Sequence, residues 1–222
     1  MTLPAPLFLR LPAAIALTLV LLLLSGCAAL LDRDDRDEPP STEQLTAWDE
    51  HRQHIEALND WEFESRAAVR TGVTGGSGSL DWTQVGPVSA LSLRGPFDTG
   101  QISLTGTAER MLITDGKGNS RVSSDPVALL EEQTGWRVPL DRLQRWVRGL
   151  PTEPLAELRD GDFRLDDEGR LVRLSEADWE LSYERYRDVS ETVALPHFIE
   201  MKNEDVRIRL VIDRWLLEAS DP

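Results

Sequence analysis

The chain has 222 residues, 41% of them hydrophobic, with 24 Lys plus Arg against 39 Asp plus Glu and a formal net charge of −15. That length fits one domain or at most two small ones, and the hydrophobic content suffices for a core, which argues against wholesale disorder. The acidity speaks against a nucleic-acid binder, since little here would displace counterions from phosphates. One cysteine rules out an intramolecular disulfide or a Cys-based zinc cluster.

Residues 1–26 carry one charge, Arg10, followed by an apolar run from Leu11 to Leu24 that ends in Ser25-Gly26-Cys27. The run is shorter than the roughly 20 residues a spanning helix needs, and the layout is that of a secretory signal peptide. A permanent anchor helix over Pro4–Leu24 is the alternative. The tetrapeptide Leu24-Ser25-Gly26-Cys27 resembles the bacterial lipobox, and the resemblance implies that Cys27 is lipidated and becomes the first residue after cleavage. Lipoproteins held at the inner membrane often carry Asp after that Cys. Ala28 stands here instead, which implies export to the outer membrane, facing the periplasm and anchored by the acyl chains on Cys27.

Residues 27–40 follow as a lipidated N-terminus and acidic tether, with five acids and two Arg among residues 32–38 and Pro39-Pro40 at its end. Such a run cannot bury a core, so the folded part is expected at 41–222. Ser41-Thr42-Glu43-Gln44 has the form of a capping box, and Leu45, Trp48, Ile55 and Leu58 keep helical spacing, predicting a helix of about four turns that ends near Asn59. His51 and His54 lie one turn apart on it. No third ligand is near, so both are expected as exposed helix histidines rather than a metal site.

From Trp61 the period changes to two. Trp61, Phe63, Ser65, Ala67 and Val69 alternate with more polar residues, predicting a half-buried strand. Gly72 to Gly78 has the composition of a hairpin loop, with Leu80 and Trp82 opening the return strand. Strand-like runs follow at Val88–Arg94, Gln101–Gly106, Met111–Thr114 and Asn119–Ser123, at the close spacing of an antiparallel meander. Asp125 and Pro126 start a helix that stops at Gly135, and Pro139 starts another that ends at Gly149. Alternation then returns around Phe163 and Leu165, Trp179 to Tyr183, Phe198–Lys202 and Val206–Trp215. The fold expected is mainly β with helices (α+β): a strongly bent antiparallel sheet with a few helices on its concave face.

Catalytic patterns are lacking. Gly75 to Ser79 fails the G-x-S-x-G pattern because residue 79 is Ser, and the glycine-rich loop lacks the Gly-Lys-Ser/Thr ending of a phosphate cradle. No enzyme activity, metal or cofactor is expected. What stands out is bulk: seven Trp, several on the apolar faces of strands. These side chains either fill a core or, if the helices cover the sheet only partly, line an apolar cavity. Pattern alone leaves both open.

Dispersed landmarks carry a resemblance over roughly Trp48 to Trp215. They are Trp48 with Trp61, Trp82-Thr83-Gln84, Leu91 to Phe97 (LSLRGPF), Leu143 to Pro151 (LQRWVRGLP), Trp179 with Tyr183, Leu195-Pro196, and Ile208-Arg209-Leu210 leading to Trp215. In this order the chain resembles the outer-membrane lipoprotein receptors of the bacterial Lol pathway, the LolB family. The resemblance implies an open, incompletely closed antiparallel β-barrel whose hydrophobic cavity is covered by helices, so that 41–222 is a single lipoprotein-binding domain. It implies a receptor that takes lipoproteins from the periplasmic carrier LolA, holds their acyl chains and inserts them into the outer membrane, acting as a monomer. Candidate cavity residues are Trp61, Phe63, Leu80, Trp82, Leu93, Leu104, Trp146, Tyr183, Ile208 and Leu210. Phe97 takes the place of the exposed Leu that such receptors carry on a membrane-insertion loop, with Asp98 where a Gly usually follows. A lipocalin-like lipoprotein that binds a small apolar ligand is the alternative.

Overall fold

Ser41 starts the first helix as its spacing predicts. Its hydroxyl accepts from the Gln44 amide at 3.2 Å while the Gln44 side chain accepts from the Ser41 amide at 2.9 Å, so both bonds of the capping box are made. The computed structural model describes residues 39–95, 100–134 and 137–217. The lipidation candidate Cys27 and the insertion-loop candidate Phe97 lie outside the described residues.

Helix α1 (Thr42–Glu56) precedes six strands: β1 (Asp60–Thr71), β2 (Gly75–Val85), β3 (Val88–Arg94), β4 (Gln101–Thr107), β5 (Arg110–Thr114) and β6 (Ser120–Ser123). Helices α2 (Pro126–Thr134) and α3 (Leu140–Trp146) and a 3₁₀ turn at Leu155–Glu157 separate these from β7 (Phe163–Leu165), β8 (Leu171–Glu176) and β9 (Trp179–Glu184). A short ladder of β10 (Arg187–Asp188) and β11 (Ala194–Leu195) comes next, then β12 (Phe198–Lys202) and β13 (Val206–Leu217).

Eleven of these strands make one sheet in the order β6-β5-β4-β3-β2-β1-β13-β12-β9-β8-β7, antiparallel throughout. The two long strands β1 and β13 pair at its middle. β6 and β7 end the sheet without pairing to each other, so it is not closed into a barrel. Period-two alternation puts Trp61, Phe63, Ser65, Ala67 and Val69 of β1 on the inner face. A bulge between Glu64 and Ser65 shifts the register against β13, so that Trp215 and Ile212 both keep to that face. All three helices of the described residues contribute side chains to the apolar cluster that lies on it.

Two expectations need correction. The stretch Gly72–Gly78 is not all loop: β2 begins at Gly75 and pairs from there with β1, leaving only residues 72–74 as the turn. Ladder hydrogen bonds need no side chains, so a glycine-rich stretch can pair as well as any other. At Gly78 glycine is required, since a Cβ there would sit 2.2 Å from the Arg94 carbonyl oxygen. The second correction is β8, which simple alternation misses because its buried positions, Leu171, Leu174 and Glu176, break the two-residue period. The break is a bulge in β8 itself: Arg164 pairs with Arg173 and Leu165 with Leu171, leaving Val172 as the extra residue.

Candidate functional site

Strand register carries one face from β5 through β1 to β9. Phe63 pairs with Trp82, Trp82 with Leu91, Leu91 with Leu104, and Leu104 with Ile113. In the other direction Ala67 pairs with Leu210, Leu210 with Ile199, and Ile199 with Tyr183. Nine of the ten candidate cavity residues therefore share the inner face, and the tenth, Trp146, reaches it from α3. Trp61, Phe63, Trp82, Leu104, Trp146, Tyr183, Ile208 and Leu210 are buried. Leu80 and Leu93, opposite each other in the β2–β3 ladder, are only partly buried against the same cluster.

At the centre Trp61, Phe63, Trp82 and Trp215 form an aromatic knot with ring centroids 5.1–6.0 Å apart. Two of its indoles are held by hydrogen bonds, from Trp82 to the buried Gln84 side chain at 3.2 Å and from Trp215 to the Pro196 carbonyl at 3.1 Å. The Trp61 indole nitrogen is buried without a partner, as is the Tyr183 hydroxyl. Burial raises the Tyr183 phenol well above its usual range, so it is a neutral donor at any working pH.

The cover over this face is built in two ways. On one side, α3 and the turn after it are clamped. Buried Glu176 accepts from the Trp146 indole at 2.6 Å and from the amides of Thr152 and Glu153 at 3.0 and 2.9 Å. Burial alone would raise its pKa, yet these donors outweigh it and hold the carboxyl below the ordinary value. Arg148, equally buried, donates to the carbonyls of Ile55 and Leu58 at the end of α1 and lies over the Trp61 ring. Burial, with the Arg145 charge beside it, lowers the guanidinium to about 10. Gly149 ends this turn at φ +78°, and a Cβ there would lie 2.5 Å from the Tyr186 hydroxyl. The end of the landmark Leu143–Pro151, from Trp146 to Pro151, is thus a structural clamp. Helix α1 in turn covers the β7 edge through Gln44, whose amide donates to the Leu165 and Asp166 carbonyls.

On the other side α2 packs on β5 through Leu129 and Leu130. Asp125 caps it by accepting from the Ala128 amide at 3.0 Å. Its ion pairs, Arg121–Glu132 and Arg137–Glu131, are exposed. Beside it opens a hollow of about 850 Å³ lined by Val127, Pro139 and Trp179 and rimmed by Asp125, Asp141, Asp178, Glu204 and Asp205, with Arg137 as its one cation.

His51 departs from the expectation of an exposed residue. It packs edge-on against Tyr186, with ring centroids 6.2 Å apart, and its Nε2 is buried without a partner. Burial, then the nearby Arg170 charge, lowers its pKa to about 4. The spacing that puts His51 and His54 one turn apart does not bring them into one environment, because only His51 faces the β7–β8 end of the sheet.

Glu176 and Arg148 were not among the candidates. A charged residue at the end of a strand without regular alternation and another in a helix-end turn read as surface in a sequence; what marks them is the set of donors and carbonyls each one satisfies in the fold.

Over residues 59–215 the chain matches the family model described as outer membrane lipoprotein LolB. It is 37% identical over 195 residues to a protein of Stutzerimonas stutzeri (strain A1501) named Outer-membrane lipoprotein LolB, covering 87% of this chain and 90% of that one. A protein of the same name from Halorhodospira halophila (strain DSM 244 / SL1) is 33% identical, with 92% and 95% covered. Among solved structures, a LolA superfamily protein from Nitrosomonas europaea aligns with a TM-score of 0.46 at 10% identity, over 83% of this chain and 96% of that one. With the family model spanning most of the chain and full-length relatives above 30% identity, the chain belongs to the LolB family of outer membrane lipoproteins.

Proposed function

We propose that this protein is an outer-membrane receptor of lipoprotein sorting. Residues 1–26 act as its signal peptide, Cys27 carries the lipid that anchors it to the periplasmic face, residues 27–40 are the tether, and 41–222 bind cargo as a single domain. It takes lipoproteins from the periplasmic carrier LolA, holds their acyl chains against the inner face of the sheet and passes them to the bilayer, with Phe97 on the insertion loop. It works as a monomer and uses no catalytic residue.

Family membership sets the frame, and the observation that carries the reading is the unclosed sheet. Its apolar inner face is sealed by helices rather than by strand hydrogen bonds, so a guest can be admitted without breaking a ladder. A triacylated cargo has on the order of 40 methylenes, and wetting all of them would cost roughly 30 kcal/mol. A continuous apolar path from carrier to receptor to bilayer removes that barrier, and a covalent intermediate or nucleotide would add nothing to it. Trp61 Nε1 and the Tyr183 hydroxyl support the same reading. A permanently sealed core would pair both, whereas ester and amide carbonyls at the head of acyl chains supply acceptors for them.

Helix α2 is the part of the cover that gives way: among the described residues its ion pairs are exposed, while a buried polar network holds α3. The acid-rimmed hollow beside α2, with five carboxylates against Arg137, suits a positively charged rim on the carrier and would speed its encounter.

The test uses the full chain reconstituted in vesicles and a carrier loaded with radiolabelled lipoprotein, without ATP. Label should move to vesicles that hold the chain and not to bare ones. Phe97→Glu should still take label from the carrier, co-purify with it after detergent extraction, and fail to release it to lipid. Label that stays on a carrier proven competent with another receptor would overturn the assignment. If an apolar small molecule binds while lipoprotein does not, the lipocalin-like alternative stands.

A further inference from the structure

On the outer face of the sheet, charge is matched one for one over most of β1 and β13. Arg66 pairs with Asp213 at 2.9 Å, and Arg214 with Glu64 at 2.6 Å. Toward the β1–β2 turn the matching stops. Arg70 of β1 stands directly opposite Arg207 of β13, and Arg207 stands directly opposite Lys202 of β12. Three cations thus occupy one cross-strand row, an arrangement that repels itself. Glu200 serves both Arg207 and Arg209, Glu180 serves Lys202, and Arg70 has no ion pair among the described residues. Four cations therefore face two carboxylates in a chain whose net charge is −15.

Arg70, Arg207 and Arg209 line a hollow of about 420 Å³ whose remaining wall is the backbone of Gly75 and Gly76 with Ala68, Val69 and Ser77. Glycines there leave the wall open to a bulky anion. The turn above it is rigid: the Thr71 amide donates to the Thr74 carbonyl at 2.7 Å, and the two threonine hydroxyls hydrogen-bond at 2.8 Å. At its tip Val73 is 96% exposed, the most exposed of the large hydrophobic residues described. The acids of the neighbouring β12–β13 turn, Glu204 and Asp205, line the separate hollow beside α2.

We propose that the β1–β2 hairpin is a membrane-docking element, in which Val73 enters a bilayer while Arg70, Arg207 and Arg209 hold the phosphate of an anionic lipid headgroup. An apolar tip beside a basic patch is the combination that adsorbs a protein to an anionic interface. Here it has a second consequence. The acidic body is repelled by such a surface, so this basic patch turns the hairpin end toward it. The proposal rests on the protein meeting a bilayer, and its test needs neither carrier nor cargo, so it stands or falls apart from lipoprotein transfer.

The experiment places an environment-sensitive fluorophore at Val73→Cys of the full chain, reconstituted in vesicles carrying a lipid-borne quencher. The unsubstituted chain taken through the same labelling gives the background from Cys27. In phosphatidylcholine–phosphatidylglycerol vesicles the label should be quenched, and a label at exposed Thr192→Cys should not. Each arginine near an anionic surface favours docking roughly fivefold, so Arg70→Ala with Arg207→Ala should lower the docked-to-free ratio about thirtyfold. Vesicles of phosphatidylcholine alone should give a comparable fall. Quenching at position 73 that is absent in anionic vesicles, or unchanged by lipid charge and by the arginine substitutions, would overturn the proposal. So would inorganic phosphate that saturates the hollow while position 73 stays in water, which would make the hollow a small-anion site.

Discussion

Helices α2 and α3 cover the same apolar face, yet they are held by different physics. Around α3 the polar groups are buried and satisfied: one carboxylate, Glu176, gathers three donors, and Arg148 spans from its own turn to the end of α1. Opening that side would bare all of these groups at once. Around α2 the ion pairs among the described residues are exposed, and Leu129 packs into the apolar cluster. Opening that side bares apolar area, and an acyl chain entering beneath it would restore that area. The lesson is that a lid is recognised less by how much it buries than by whether anything polar is lost when it lifts.

The comparison breaks most visibly at Glu176. Glu176→Ala strands the Trp146 indole and the Thr152 and Glu153 amides, and should cost about 4 kcal/mol in urea unfolding. If it costs under about 1 kcal/mol, the clamp is decorative and the contrast with α2 fails.

Next in size is Leu129→Ala, expected to cost about 2 kcal/mol, and hydrogen exchange shows where that loss falls. Already in the unsubstituted chain the amides of α2 should exchange before those of residues 143–150, and the substitution should widen the gap. Equal protection of the two helices would remove α2 as the part that gives way.

Acid sharpens the picture from the clamped side. His51 stays neutral in the fold until about pH 4, while the unfolded chain takes up its proton near 6.5. Its contribution is therefore intact above pH 6.5 and is lost as the pH falls toward 4. Glu176, held below its ordinary 4.5, adds a loss that begins only under that value. In thermal unfolding followed against pH, His51→Gln should flatten the upper part of the decline and Glu176→Gln the lower part.

The smallest effect belongs to the surface of α2. Glu132→Ala, which removes the exposed pair with Arg121, should shift stability by less than about 0.5 kcal/mol. A larger loss would mean that α2 is tied down after all.

Much of this was legible in the sequence where local patterns decide the outcome. Period-two alternation gave β1 and the apolar side of β13, Ser41 and Gln44 announced their capping box, and Pro126 and Pro139 marked where helices open. Nine strand residues picked as one apolar set do share the inner face. What stayed hidden depends on contacts between distant segments. β8 lost its alternation to a bulge at Val172, Gly75–Gly78 paired despite a loop-like composition, and His51 was half-buried against Tyr186, far along the chain. Glu176 and Arg148 read as surface charges because nothing local tells which charge will be enclosed. The row of Arg70, Arg207 and Lys202 needed the strand register before it became a row at all.

The central claim is that acyl cargo lies against the inner face of the sheet, and site-specific photo-crosslinking in the full chain tests it most directly. A photoreactive residue at Leu80, on the partly buried inner face, is compared with one at Leu112, exposed on the outer face. After incubation with a carrier bearing radiolabelled lipoprotein, position 80 should capture label and position 112 should not. Capture at position 112 alone, or at neither while transfer proceeds, would contradict the account.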